Sequence, residues 1–76
     1  MNTVLEVLKS IRPEFDFTTS EDFIADGMLD SYDMMTLISE LDQRYGISIA
    51  GTDILPENVK SIAAIKQLLH KYGIAP

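Results

Sequence analysis

The stretch GMLDSYDMMTLISEL, residues 27–41, sets Ser31 between two carboxylates, Asp30 and Asp33. A serine that acts as a nucleophile needs a base within hydrogen-bond reach and usually a third group to orient that base. The chain's only histidine, His70, stands far along the sequence, and no lysine lies near Ser31. No base–nucleophile set is legible, so no residue is assigned a catalytic role and the chain is not expected to be an enzyme. Ser31 is then either a plain helix cap or the target of chemistry that another protein supplies.

Metal chemistry has no better footing. Asp22, Asp26, Gly27 and Asp30 partly match a calcium loop, with Gly27 at the sharp turn and Leu29 at an apolar place. Ile24 falls where an oxygen ligand is required, and Asp33 stands where a bidentate glutamate belongs, so no metal site is assigned. His70, alone on a terminal helix, reads as an exposed or capping residue. The chain has no cysteine, hence no disulfide, thiolate or cysteine metal site. Met28, Met34 and Met35 surround one helix start; such residues ordinarily fill core gaps, yet they form an adaptable region into which a flexible chain could tuck.

The elements that must position Ser31 belong to one small domain, residues 1–76. A chain of this size buries only about 60–65% of the surface its unfolded form exposes, which leaves little room for an enclosed active site. Apolar residues make up 46% of the sequence, which argues against disorder. Twelve acids against six bases give a net charge of −6, so nucleic acid and anionic membranes are poor partners and basic protein surfaces are favoured. The start, MNTVLEVLKS, has no basic opening, no clean apolar run and no small-residue cleavage site, so no signal peptide is expected. No apolar run approaches the roughly 18 residues of a membrane span. A cytoplasmic monomer is the expectation.

Apolar periodicity predicts an all-α bundle of three main helices, one short helix and a long first loop. Thr3-Val4-Leu5-Glu6 has capping-box spacing, and Leu5, Leu8 and Ile11, widened by Val4, form the first apolar face up to Pro13. The long connection from Glu14 to Met28 is to be pinned by Phe15, Phe17, Phe23 and Ile24, with Leu29 as a further pin. The second helix begins at Asp30 or Ser31, with Asp30 as N-cap, and ends at Gly46. Its inward face carries Met34 or Met35, then Leu37, Ile38, Leu41 and Tyr45. Residues 47–49 read as an extended connection burying Ile47. Thr52 or Asp53 is expected to cap a short helix around Pro56, and Ser61 to cap a last one whose Ile62, Ile65, Leu68, Leu69 and Tyr72 face inward up to Gly73.

On the second helix, Asp33, Glu40 and Asp42 would ordinarily be a solvated face. Arg44 is the only base between Arg12 and Lys60, however, so the middle of the chain reads as a negative surface that steers a basic partner. One reading of the whole is therefore an acidic helical adaptor that binds such a partner non-covalently, with no prosthetic group and Ser31 as a cap.

The other reading comes from the ensemble. A small acidic helical domain with a long pinned loop, then Gly-x-Leu-Asp-Ser opening an amphipathic helix that ends Tyr-Gly-Ile, resembles the acyl carrier protein family over nearly the whole chain. The resemblance implies a covalent 4′-phosphopantetheine arm, drawn from coenzyme A, on the serine that maps to Ser31. A separate phosphopantetheinyl transferase would install it, which explains the missing base. The arm's thiol would carry an acyl or aminoacyl group as a thioester, loaded by a ligase and passed to an acyltransferase or synthase of a fatty-acid, polyketide or aminoacyl pathway. Asp30, Tyr32, Asp33, Thr36, Glu40 and Asp42 would form the docking face. Tyr32 replaces the usual leucine after the serine, Thr36 stands where fatty-acid carriers usually have glutamate, and Ser39 where they often have methionine. The segment Leu55–Ile62 is closer to aminoacyl and specialised carriers.

Overall fold

The first helix, α1, spans Thr3–Ile11 in a computed structural model that describes residues 3–75. Val4, Val7 and Leu8 are fully buried, whereas Leu5 and Ile11 are half-buried. The inward face is thus centred on the 4, 7, 8, 11 spacing rather than on Leu5. The Thr3 side chain, on which the expected capping box depends, lies outside the described part. Arg12 N–H still donates to Leu8 C=O at 3.0 Å, and Pro13 then ends the helical path.

The long connection is held by aromatic side chains. Phe17, Phe23 and Leu29 are buried, with Phe15 and Ile24 half-buried around them. Phe17 meets Phe23 edge to face at 5.0 Å, and Phe15 meets Phe17 the same way at 6.3 Å. Such pairs contribute about 0.5–1.5 kcal/mol beyond the area they bury. Phe23 is the anchor for the backbone too: its N–H reaches Lys60 C=O at 2.6 Å, and its own C=O accepts from Met28 and Leu29. The carboxylates of this segment serve the chain itself, since Asp22 Oδ1 accepts from the N–H groups of Ile24 and Ala25 and Asp26 accepts from the Ser20 hydroxyl.

Helix α2, Ser31–Tyr45, buries Met34, Leu37, Ile38 and Leu41. Each such side chain removed from water stabilises the fold by about 1.5–3 kcal/mol. The helix stops at Gly46, whose φ of 63° is left-handed, and Ile47 N–H folds back to Asp42 C=O. The connection then departs from expectation. Asp42 Oδ1 takes the N–H of Ile49 at 3.0 Å, and this turns Ile49 into the core while Ile47 stays half-buried.

A single 3₁₀ turn, Gly51–Asp53, precedes the short helix α3, Pro56–Val59. Thr52 and Asp53 lie in that turn and cap nothing; α3 starts after Leu55 with Pro56 at its first position, where a missing N–H costs nothing. Helix α4, Ile62–Lys71, is capped by Ser61, whose hydroxyl accepts from Ala64 N–H at 3.0 Å. It buries Ile65, Leu68 and Leu69, with Ile62 and Tyr72 half-buried, and closes at Gly73 with Ile74 N–H returning to Leu69 C=O. Helix α1 packs against both α2 and α4, and α3 packs against α4. The described residues form four α-helices and no strand, within 28 × 27 × 18 Å. No helix among them is long and apolar enough to cross a membrane.

Candidate functional site

The start of α2 is built by a reciprocal cap. Asp30, extended at φ −109° and ψ −174°, accepts the N–H of Asp33 on Oδ1 at 2.8 Å, and Asp33 Oδ2 accepts the N–H of Asp30 at 3.3 Å. Two of the orphan donors of the helix start are satisfied in this way. The cap is therefore Asp30, and Ser31 is the first helical residue, exposed and spare. Its hydroxyl makes no hydrogen bond to another described residue. A serine that caps would be occupied; this one is presented.

Arg12, which carried no role in the sequence, reaches this turn from the end of α1. Its Nε and Nη2 both approach Asp33 Oδ2, at 2.9 and 2.8 Å, and Nη2 stands 3.9 Å from Asp30 Oδ2. The hydrogen bond and charge of Asp33 push the guanidinium pKa up. Asp30 is held below the usual carboxylate range, chiefly by the Asp33 N–H and then by the charge of Arg12. The signal available beforehand was a lone arginine just past a helix end in an acidic chain.

The remaining expected docking residues are less alike than their spacing suggested. Asp33 is 5% exposed and spent on Arg12 and the Asp30 backbone, so it is not part of an acidic surface. Asp42 is half-buried and engaged by Ile49 N–H, Glu40 is half-buried, and Thr36 turns its hydroxyl to Tyr32 C=O at 3.2 Å. Asp30 is exposed just before the helix, and along α2 so are Ser31, Tyr32 at 77%, Met35 at 56%, Ser39 and Gln43. The outward stripe of α2 is thus uncharged, and Arg44 at its end is paired with Glu6 at 3.5 Å. The three methionines separate likewise: Met34 is buried, Met28 half-buried and Met35 outside. Asp22, Ile24, Ala25, Pro56, Glu57 and Lys60 line an open groove of about 390 Å³ between the long connection and α3.

A family model described as the phosphopantetheine attachment site matches residues 1–69. The chain belongs to that family. Phosphopantetheine-attachment domains are carriers and not catalysts, and their prosthetic group is 4′-phosphopantetheine, covalently attached. Their function depends on a modifying transferase and on the enzymes that use the carried group. No curated protein and no solved structure matches the chain at a significant level. At the start of α2 the Ser31 hydroxyl is exposed, makes no hydrogen bond to another described residue, and is relieved of capping by Asp30.

Proposed function

We propose that Ser31 is the attachment serine, and that the protein carries acyl or aminoacyl groups as thioesters and presents them to successive enzymes. The observation that carries this reading is the division of labour at the α2 start, where Asp30 caps and Ser31 stands exposed beside it. Attachment exchanges a phosphoanhydride for a phosphate ester: Ser31 Oγ bonds to the phosphorus of coenzyme A that bears pantetheine, the bond from that phosphorus to the bridging oxygen of the pyrophosphate breaks, adenosine 3′,5′-bisphosphate leaves, and the serine proton passes to a base of the transferase. In this reading the chain's own residues hold the turn, and the base belongs to the transferase. The arm, once attached, supplies the thiol that a cysteine-free chain lacks.

The N–H of Asp33 is already committed to Asp30, so the positive end of the helix is partly spent within the protein. This supports an arm that extends into solvent. Tyr32 and Met35, exposed three positions apart on one face of α2, are the proposed contacts for partner enzymes, with Glu40 and Thr36 at the margin. The partners proposed are a phosphopantetheinyl transferase, an acyl- or aminoacyl-loading ligase and a downstream acyltransferase or synthase. The proposed cargo is an amino acid or short acid, supported by the bulk of Tyr32 beside the serine and by the scattering of the methionines. The proposed compartment is the cytoplasm, where a cysteine-free chain loses nothing to reducing conditions. Incubation with a phosphopantetheinyl transferase and coenzyme A, read by intact-protein mass spectrometry, tests the attachment; the expected result is a gain of one phosphopantetheinyl group.

A further inference from the structure

Asp33 is the one charged residue among the buried side chains described, and its partner lies 21 positions away in the chain. A buried carboxylate is tolerated only when paired and hydrogen-bonded. Here a single oxygen, Asp33 Oδ2, gathers Arg12 Nε at 2.9 Å, Arg12 Nη2 at 2.8 Å and Asp30 N–H at 3.3 Å. That last contact is one arm of the cap enclosing Ser31. The same guanidinium lies 3.9 Å from Asp30 Oδ2, on the residue that forms the other arm. Arg12 therefore hydrogen-bonds one of the carboxylates that flank Ser31 in sequence and lies within ion-pair range of the other, and it does so from the end of a different helix.

Two consequences follow. Without Arg12, the Asp33 carboxylate would be buried without its charged partner; it would swing toward water, and that movement weakens its hold on the Asp30 N–H. The cap would then be reduced to the Asp30–Asp33 N–H bond, and the first turn of α2 would lose its tie to α1. Arg12 also offsets one of the two negative charges beside Ser31, so a phosphodiester approaching that turn meets a smaller repulsion than the sequence DSYD implies. The extra Arg12–Glu14 approach, 3.7 Å between exposed groups, adds little to this arrangement.

We propose that Arg12 is a positioning residue for the modification of Ser31: through Asp33 it holds the first turn of α2 in the geometry in which the serine is loaded. The proposal rests on the reading of Ser31 as the attachment serine, but its structural half is testable without it. Arg12→Met keeps the aliphatic stem and removes both donors. In amide hydrogen exchange of the unloaded protein, this variant is expected to lose protection first at Asp30, whose N–H Asp33 holds, and with it in the loosened first turn at Asp33 and Met34, while Leu37 and Leu41 keep theirs. In the loading assay its kcat is expected to fall about tenfold with KM little changed, well short of the roughly hundredfold cost of an ångström-scale misplacement.

Arg12→Lys, with one donor group and the charge retained, should fall between the two. The pair Arg12→Met with Asp33→Asn leaves an oxygen for the Asp30 N–H without a buried charge, and should recover most of the protection and of the rate. Unchanged exchange at the first turn overturns the proposal, and so does an equal loss of protection throughout α2, which would make Arg12 a general stabiliser. Local loss of protection with wild-type loading kinetics overturns its functional half. Failure of the reading of Ser31 itself gives a different result, a wild-type protein that gains no mass or gains it at another residue.

Discussion

The Tyr72 hydroxyl donates to Asp53 Oδ2 at 2.6 Å and accepts the N–H of Ala50 at 2.9 Å, fastening the end of α4 to the connection that follows α2. Lys71 Nζ binds the other oxygen of Asp53 at 2.7 Å, and Asn58 Nδ2 binds its carbonyl at 2.8 Å. The connection buries Ile49 and packs Ile47 and Ile54 against the core, and these polar contacts add to its hold. Tyr72→Phe removes one donor and one acceptor and keeps the ring. A loss of about 1 kcal/mol is expected, which for a domain of this size lowers Tm by about 4–8 °C. Thermal unfolding followed by circular dichroism measures it, and a Tm equal to wild type would show that the clasp adds nothing.

The same clasp bears on acid stability. The hydrogen bonds from Lys71 and Tyr72 lower the pKa of Asp53, the Thr18 hydroxyl and N–H lower that of Asp16, and the Asp33 N–H lowers that of Asp30. In each case the unfolded chain binds its proton first, near the ordinary value of about 3.9. The stabilisation is therefore fully present above that pH and is lost as pH falls through the lowered folded values. Urea midpoints are expected to hold steady from pH 7 to 5 and to drop below pH 4. Asp53→Asn should show a smaller drop between pH 7 and pH 3 than wild type; an equal drop would remove Asp53 from the explanation.

Docking is expected to depend on shape more than on charge. Tyr32→Ala removes a ring that is 77% exposed, so folding stability should change by no more than about 0.5 kcal/mol. The KM of a transferase for the protein should nevertheless rise several-fold. Reversing Glu40 should matter less, and its effect should fade with salt. Asp33 is unsuitable for such a charge reversal, because a lysine there would face Arg12 inside the protein. Strong salt dependence with an indifferent Tyr32→Ala variant would restore the acidic face as the recognition surface.

Much of this arrangement is local and therefore legible in sequence. The bounds of α2 follow from Asp30 and Asp33 three positions apart and from Gly46, all acting within one turn. Ser61 and Gly73 mark α4 for the same reason. What escaped was long-range or a matter of one residue. Nothing in the order of residues says that Arg12 meets Asp33, or that the Asp53 carboxylate serves the end of α4 rather than the start of α3. Ile47 and Ile49 are equally apolar, and the choice between them is made by the hydrogen bond that the Ile49 N–H donates to Asp42. The α1 face shifted by one position for a comparable reason, since Leu5 and Val4 are neighbours and only the packing of α1 against α2 and α4 selects Val4, Val7 and Leu8. At the site, spacing alone could not tell a charge on the surface from a charge consumed inside the cap.

Cargo length offers a test of the proposed pathway class. Each buried methylene is worth about 0.8 kcal/mol, so a protein that shelters a long acyl chain becomes more stable as the chain lengthens. Met34 is already packed in the core and Met35 points out, which leaves no shared methionine pocket at the helix start. Acetyl-loaded and octanoyl-loaded protein are expected to melt within a degree or so of each other, about the shift produced by a quarter of a kcal/mol. A steady rise in Tm with chain length would point instead to long-chain fatty acids.

The central claim is that Ser31 carries the arm, and the most direct measurement compares wild-type protein with Ser31→Ala after incubation with a phosphopantetheinyl transferase and coenzyme A. Because Asp30 is the cap, the variant should fold as wild type does, with stability changed by less than about 1 kcal/mol. Intact-mass spectra are expected to show one phosphopantetheinyl group on the wild type and none on Ser31→Ala. A mass gain that persists in the folded Ser31→Ala protein would contradict the assignment.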